Sequence, residues 1–358
     1  MASSFNVIRG AASRTLAKPT GARRTFATSS NLQATYGFVG LGRMGKHEDT
    51  QAENSNLRIP EGYPMAKNLR AKLPQSDTLI IHDINPAVTT QFAEEHKGKG
   101  VDVAQNAREI SEKSETIITV LPEPHHVQNV LRTMLKPPSL QNIGPSKPRL
   151  FIDCSTIDPK SSRNAANACH SSSQGTFVDA PMSGGVVGAD AGELTFMFGA
   201  PDELKEPVTK ILSMMGKKIW HMGPQGAGIK AKLANNYLLA LNNIATCEAM
   251  NLGVKWGLDP KALADLINTS TGRCWPSVVN NPVPGVVEGS PASRGYEGGF
   301  GVPLMKKDLK LALQAAHESR TQTLMGNEAL SVYSLVQVDE KCADKDFSVV
   351  YRYLGGKE

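Results

Sequence analysis

The feature that most restricts what this chain can fold into is a glycine-rich turn set directly after an apolar run. Residues 36–41 read as a short buried strand, and Gly40-Leu41-Gly42-Arg43-Met44-Gly45 closes it. In that spacing the first glycine makes a tight turn and the second lets the backbone approach a pyrophosphate. The third allows a helix to pack closely on the strand. The helix N-terminus then presents unpaired N–H groups to the phosphates. The triplet alone is a weak signal, so its surroundings decide. An acid, Asp83, stands at the end of the next apolar run, residues 78–82. A carboxylate there would bind both ribose hydroxyls of NAD and repel the extra phosphate of NADP. The competing reading of Asp83 is a strand-end residue that caps the next helix.

Apolar runs at 78–82, 116–121 and 150–153 alternate with helical stretches at 65–72, 87–95, 125–135 and 160–170. Such alternation predicts a parallel sheet covered on both faces. Runs at 177–180, 194–199 and 218–221 predict further strands. After about residue 226 strand signals nearly vanish. One long helix is expected over 227–256, others at 260–268, 304–319 and 327–338, and a Gly/Pro/Ser-rich loop at 280–301. The expected architecture is α/β: a Rossmann-type doubly wound sheet over 35–225, then an interdomain helix at 226–257 and an all-helical C-terminal domain at 258–358.

One segment breaks this pattern. Gly45 and Asp83 are 38 positions apart, where about 20 is usual. Residues 46–62 are polar, aperiodic and without an apolar face, and removing these 17 residues restores a spacing of 21. The segment carries four acids against Lys46 and Arg58, an unfavourable balance beside a pyrophosphate and a helix N-terminus. Two readings stay open. It is a translated intron, since Gly45-Lys46 is compatible with a splice donor, or a surface insertion after which the helix restarts near Pro64.

Charge points away from nucleic acid and membrane. The chain carries a formal +5, but Arg9, Arg14, Lys18, Arg23 and Arg24 fall within the first thirty residues, which hold no acid. The remainder is balanced. Basic, Ser/Thr/Ala-rich and acid-free, residues 1–34 read as a mitochondrial transit peptide, and a disordered tail is the plainer reading. Cys154, Cys169, Cys247, Cys274 and Cys342 form no Cys-x-x-Cys pair or His/Cys cluster. Buried free thiols, and no metal, are therefore expected.

Several stretches resemble the β-hydroxyacid dehydrogenase family. They are the Gly37–Gly45 opening with Met65-Ala66-Lys67-Asn68-Leu69, the stretch Asp179-Ala180-Pro181-Met182-Ser183-Gly184-Gly185, and Gly226-Ala227-Gly228-Ile229-Lys230-Ala231-Lys232-Leu233-Ala234-Asn235-Asn236. Three more resemble the members that act on 3-hydroxyisobutyrate. These are Glu248-Ala249-Met250-Asn251-Leu252-Gly253, Gly272-Arg273-Cys274-Trp275 with residues 281–286, and Gly298-Gly299-Phe300-Gly301 running on to Lys307-Asp308-Leu309. The resemblance covers residues 36 to about 354, with 46–62 as its one large departure.

It implies NAD-linked oxidation of 3-hydroxyisobutyrate to methylmalonate semialdehyde in valine breakdown, inside mitochondria. Lys232 would be the general base, and Asn236, four residues on and on the same helix face, would help position substrate. Ser183, Gly184 and Gly185 would bind its carboxylate. Cofactor contacts would come from Gly40, Leu41, Gly42, Arg43, Met44, Gly45, Asp83, Leu121, Pro122, His126, Thr156 and Lys307. The family more often has Asn where His126 stands, and Thr156 reads equally as a helix cap. A homodimer or homotetramer is implied by the resemblance alone. The alternatives are a tartronate or succinic semialdehyde reductase using NADPH, and a binding protein that keeps the fold but is impaired by the insertion.

Overall fold

Strand residues alternate between two apolar layers, and that alternation builds the sheet. The computed structural model describes residues 33–42, 61–136 and 148–358. The expectations for the leader, for Arg43, Met44 and Gly45, and for nearly all of 46–62 lie outside the described residues. Among the described residues nine strands form one sheet: β1 Thr35–Val39, β2 Thr78–His82, β3 Val101–Val103, β4 Thr116–Thr119, β5 Arg149–Asp153, β6 Gly175–Asp179, β7 Met182–Ser183, β8 Leu194–Gly199 and β9 Gly216–Gly223. Phe38, Ile81, Ile118, Ile152 and Val178 pack into one layer, and their neighbours Val39, Ile80, Ile117, Phe151 and Phe177 into the other. Successive side chains of a strand point to opposite faces, so a run that is apolar throughout requires cover on both.

The cover is helical. The helices are α1 Gly62–Lys72, α2 Pro86–Glu95, α3 Ala107–Lys113, α4 Pro124–Met134, α5 Pro159–Ser171, α6 Gly185–Asp190 and α7 Lys205–Leu212. Their starts follow local chemistry. Asn85, Asn106 and Asp158 cap α2, α3 and α5 by accepting from Ala87 N, Glu109 N and Ser161 N, and α2, α4 and α5 carry proline in the first turn, where its missing N–H costs nothing. The strand order is β3-β2-β1-β4-β5-β6-β8-β7, with β9 on β8. The first six strands run parallel. The order reverses between β1 and β4, and a sheet of this kind binds ligands outside the carboxyl ends of its strands at that point.

Beyond the sheet the chain is helical: α8 Ala227–Lys255, α9 Pro260–Thr269, α10 Trp275–Val278, α11 Val302–Glu318, α12 Gly326–Val338 and α13 Val350–Tyr353. The long helix α8 begins against the sheet and runs through a second core of Ala240, Cys247, Met250, Met305, Leu309 and Tyr333. Its midpoint is pinned by polar contacts. Asn243 Nδ2 donates to Tyr333 Oη (3.0 Å) and to the Phe347 carbonyl (2.9 Å).

The start of α8 is fixed by one buried carboxylate. Asp179, the last residue of β6, accepts from Gly226 N through Oδ1 (2.6 Å) and from Ile229 N through Oδ2 (2.8 Å). Burial pushes its pKa up to about 6, and these N–H donors oppose that rise. Helix-starting N–H groups have no partner within their own helix, so a cap supplied by the sheet sets where α8 begins and how it leaves the sheet.

Seven elements, β3, β7, α3, α6, α7, α10 and α13, lay outside the sequence expectations, and β3 and α3 show the physical reasons. β3 is a three-residue edge strand with Asp102 and Val103 exposed, so it carries no apolar alternation. The seven-residue helix α3 is too short for a periodicity to show.

Asp179→Ala removes both acceptors from buried N–H donors and should cost about 2–4 kcal/mol of stability. Urea unfolding should show a lower midpoint at an unchanged m-value. Asp179→Asn keeps one acceptor oxygen and should lose less.

Candidate active site

The carboxyl edge of the sheet gathers most of the residues singled out in the sequence. After β1 the chain turns at Gly40, whose φ of +93° suits glycine and where a Cβ would lie 2.1 Å from the Val120 carbonyl oxygen. Asp83 follows β2. Its Oδ2 accepts from Leu41 N (2.8 Å) and Gly42 N (3.1 Å), and its Oδ1 from Asn85 N (2.8 Å). The cap of α2 is Asn85 rather than Asp83, so the carboxylate braces the glycine turn instead of starting the next helix.

The close helix–strand approach expected of Gly45 is made by Gly62. A Cβ on Gly62 would lie 2.2 Å from the Gly40 carbonyl oxygen and 2.9 Å from the Leu41 carbonyl carbon and oxygen. Helix α1 therefore starts at residue 62, two residues before the expected restart at Pro64, and packs on β1 as the third glycine of the motif permits.

The ends of β4 and β5 are joined by a buried network. Asp153 Oδ1 accepts from Thr119 Oγ1 (2.7 Å) and Ser155 Oγ (2.6 Å), and Ser155 Oγ accepts from Leu121 N (2.8 Å). This holds Leu121 and Pro122 beside Thr156. The cap of α5 is Asp158, which leaves Thr156 out of the capping role. His126 lies in the first turn of α4. Its Nδ1 is buried without a hydrogen-bond partner, and burial lowers its pKa.

Helices α8 and α11 supply the other wall. Lys307 Nζ donates to the carbonyls of Pro122 (3.2 Å) and Thr156 (3.1 Å), so α11 reaches across to the sheet edge. Lys232 and Asn236 sit on one face of α8, 6% and 1% exposed. Asn236 Nδ2 donates to Asp308 Oδ2 (2.6 Å) and Asn236 Oδ1 accepts from Asn235 Nδ2 (3.0 Å). Asp308 is 2% exposed, and its Oδ1 lies 3.5 Å from Lys307 Nζ. Burial is the largest influence on Lys232 and lowers its pKa below the usual 10.5. The Asp308 and Glu61 carboxylates oppose that shift, and the Lys307 ammonium adds to it.

Ser183, Gly184 and Gly185 form the turn from β7 into α6. Gly184 and Gly185 have φ of +135° and +60°, a backbone that leaves N–H groups approachable. Asn68 ties this turn's helix, α6, to α1, because its Nδ2 donates to the Ala189 carbonyl (2.7 Å). Among the described residues no hydrogen bond links Ser183–Gly185 to Lys232. Asp308, Asp153, Ser155 and Glu61 escaped the sequence reading. Asp308 stood in a matched stretch beside Lys307 but without a role, and Glu61 fell in a segment read as foreign.

The residues present fit a dinucleotide at this edge. The Gly40 turn has no room for a Cβ, Asp83 braces it, and the orphaned His126 Nδ1 awaits a partner. One residue does not fit. Glu61, immediately before α1, is 9% exposed, caps no N–H with its side chain, and has Oε2 buried without a partner.

Comparison with known proteins agrees with this geometry. Residues 61–223 match the NAD-binding domain of 6-phosphogluconate dehydrogenase, and residues 226–354 match the domain described as NAD-binding of NADP-dependent 3-hydroxyisobutyrate dehydrogenase. The chain is 41% identical over 331 residues to the probable mitochondrial 3-hydroxyisobutyrate dehydrogenase of Dictyostelium discoideum, covering 92% of this chain and 93% of that one. It is 39% identical over 345 residues to the mitochondrial enzyme of Mus musculus, covering 95% and 93%. Among solved structures, Mycobacterium tuberculosis 3-hydroxyisobutyrate dehydrogenase with L-serine superposes with a TM-score of 0.76 at 33% identity, over 90% of this chain and 99% of that one. The chain belongs to the 3-hydroxyisobutyrate dehydrogenase family, oxidoreductases that bind NAD(P).

Proposed function

We propose that this chain oxidises the primary alcohol of 3-hydroxyisobutyrate to the semialdehyde, with NAD preferred over NADP. The observation that carries this reading is the buried Lys232, its pKa lowered, beside Asn236 and Asp308 and across from the cofactor edge. An alcohol that gives up hydride must also give up its hydroxyl proton. Neutral Lys232 takes that proton, and burial favours the neutral form. Bound NAD supplies the hydride acceptor. Asn236 orients the hydroxyl toward Lys232 Nζ, while Asp308 fixes the Asn236 amide. The Ser183 hydroxyl and the Gly184 and Gly185 N–H groups receive the substrate carboxylate. Lys307, held on the Pro122 and Thr156 carbonyls, closes the helical wall over the cofactor edge.

Asp83 supports NAD over NADP, because a carboxylate at that strand end repels a 2′-phosphate. The acid-free, arginine-bearing leader and the mitochondrial names of the relatives support location in the matrix. A homodimer or homotetramer belongs to the same reading. Exposed Leu238, Trp256 and Trp275 on the helical part support it, and a monomer in sedimentation would contradict it.

This assignment makes three predictions, all read in a chain that binds NADH. Lys232→Ala should keep NADH affinity and lose about 10²–10⁴-fold in kcat; near-normal turnover in the folded variant would refute the role. The oxidation rate should rise with pH through an ionisation below 10.5, because the base acts deprotonated. Asp308→Asn removes a carboxylate that raises the Lys232 pKa, so this limb should move to lower pH while kcat falls. A limb that stays in place would rule out the contact between the two groups.

A further inference from the structure

The interruption does more than lengthen a loop. Gly62 makes the contact with Gly40 and Leu41 that the motif reserves for its third glycine. With that glycine supplied from the far end of the segment, α1 docks on β1 as in an uninterrupted unit. What differs is the residue immediately before the docking glycine. In the uninterrupted motif Met44 would precede it, and here Glu61 does. The segment therefore exchanges a neutral side chain for a carboxylate at the N-terminus of an eleven-residue helix, where a pyrophosphate would meet the N–H groups.

The one local partner of the Glu61 carboxylate is the residue's own backbone N–H. The side chain forms no cap hydrogen bond, it is buried, and its Oε2 has no hydrogen-bond partner. Charged groups on two other elements act on it: Lys232 of α8, and Lys307 and Asp308 of α11. Burial raises its pKa most, its own backbone N–H and then the two ammonium groups lower it, and the Asp308 carboxylate raises it. A buried carboxylate facing two lysines is an internal anion in a site built for external ones.

We propose that Glu61 is an autoinhibitory residue, its carboxylate holding the anion position between the α1 N-terminus and the Lys232–Lys307 wall against the dinucleotide. It does so by charge, so neutralising this one side chain is enough to open the site. The inference rests on the cofactor reading above.

The test is NADH binding, followed by quenching of protein fluorescence and enhancement of NADH emission. Four proteins are compared: the full chain, Glu61→Gln, Glu61→Met, and a chain lacking 46–62. Circular dichroism and thermal unfolding establish that each is folded. Both Glu61 variants should bind NADH at least tenfold more tightly than the full chain, with the shortened chain equal or tighter. Substitution of Met restores the side chain that precedes the docking glycine in the uninterrupted motif, so its gain should match or exceed that of Gln. If the shortened chain binds tightly while both Glu61 variants remain as weak as the full chain, the segment acts through its bulk, and the inference falls while the cofactor reading stands. If the full chain already binds as tightly as the shortened one, Glu61 does not compete and the inference is overturned. If the shortened chain does not bind NADH, the cofactor reading fails and the inference fails with it.

Discussion

The buried Asp179 carboxylate couples the two halves of this molecule. One oxygen receives Gly226 N and the other Ile229 N, so the last residue of β6 decides where the long helix begins. Lys232 lies three residues beyond Ile229, less than one helical turn. The depth and direction of its side chain are thus inherited from a sheet residue outside the reaction centre. A lysine kept 94% buried needs such rigidity, because a frayed helix start would let water reach the ammonium and restore its ordinary basicity. The Asn243–Tyr333–Phe347 contacts further along α8 extend the same stiffness into the helical core.

Lys307 closes the arrangement from the other side. By donating to the carbonyls of Pro122 and Thr156 it fastens α11 to the ends of β4 and β5. Those strand ends are themselves joined through Asp153 and Ser155. Asp308, one residue further along α11, meets Asn236 of α8. The reactive wall is consequently set by Lys307 at the ends of β4 and β5 and by Asp308 on α8.

Much of this was legible before the structure. The alternation of apolar runs and helical stretches pointed to a parallel sheet because buried strands leave an unbroken apolar signature. The caps were not legible: Asp83 and Thr156 were weighed as caps, and Asn85 and Asp158 hold those places. The 29-residue helix α8 was readable from its length and the loss of strand signals. The edge strand β3 was not, since its exposed Asp102 and Val103 bury no face. Asp308 and Asp179 were visible only as members of matched stretches. Their roles depend on partners 72 and 47 positions away, a separation that no local pattern encodes. The contact Gly62 makes was not legible for a related reason. Which of two glycines docks a helix depends on the backbone it touches, and Gly45 and Gly62 are identical in sequence terms.

Charge arithmetic in the site shows what that substitution of ends entails. With Lys232 neutral, the form in which it acts as base, Lys307 contributes one positive charge and Asp308 and Glu61 two negative ones. Without Glu61 the same wall is neutral, and it suits a carboxylate substrate and a pyrophosphate better than a net negative one does. Burial makes this difference matter, because interactions between charges at a few ångströms strengthen several-fold when water is excluded. A net negative wall repels an incoming anion that is also losing its hydration, whereas a neutral wall does not. The fold tolerates the interruption because the docking glycine is replaced, and the electrostatics change because the residue beside it is not.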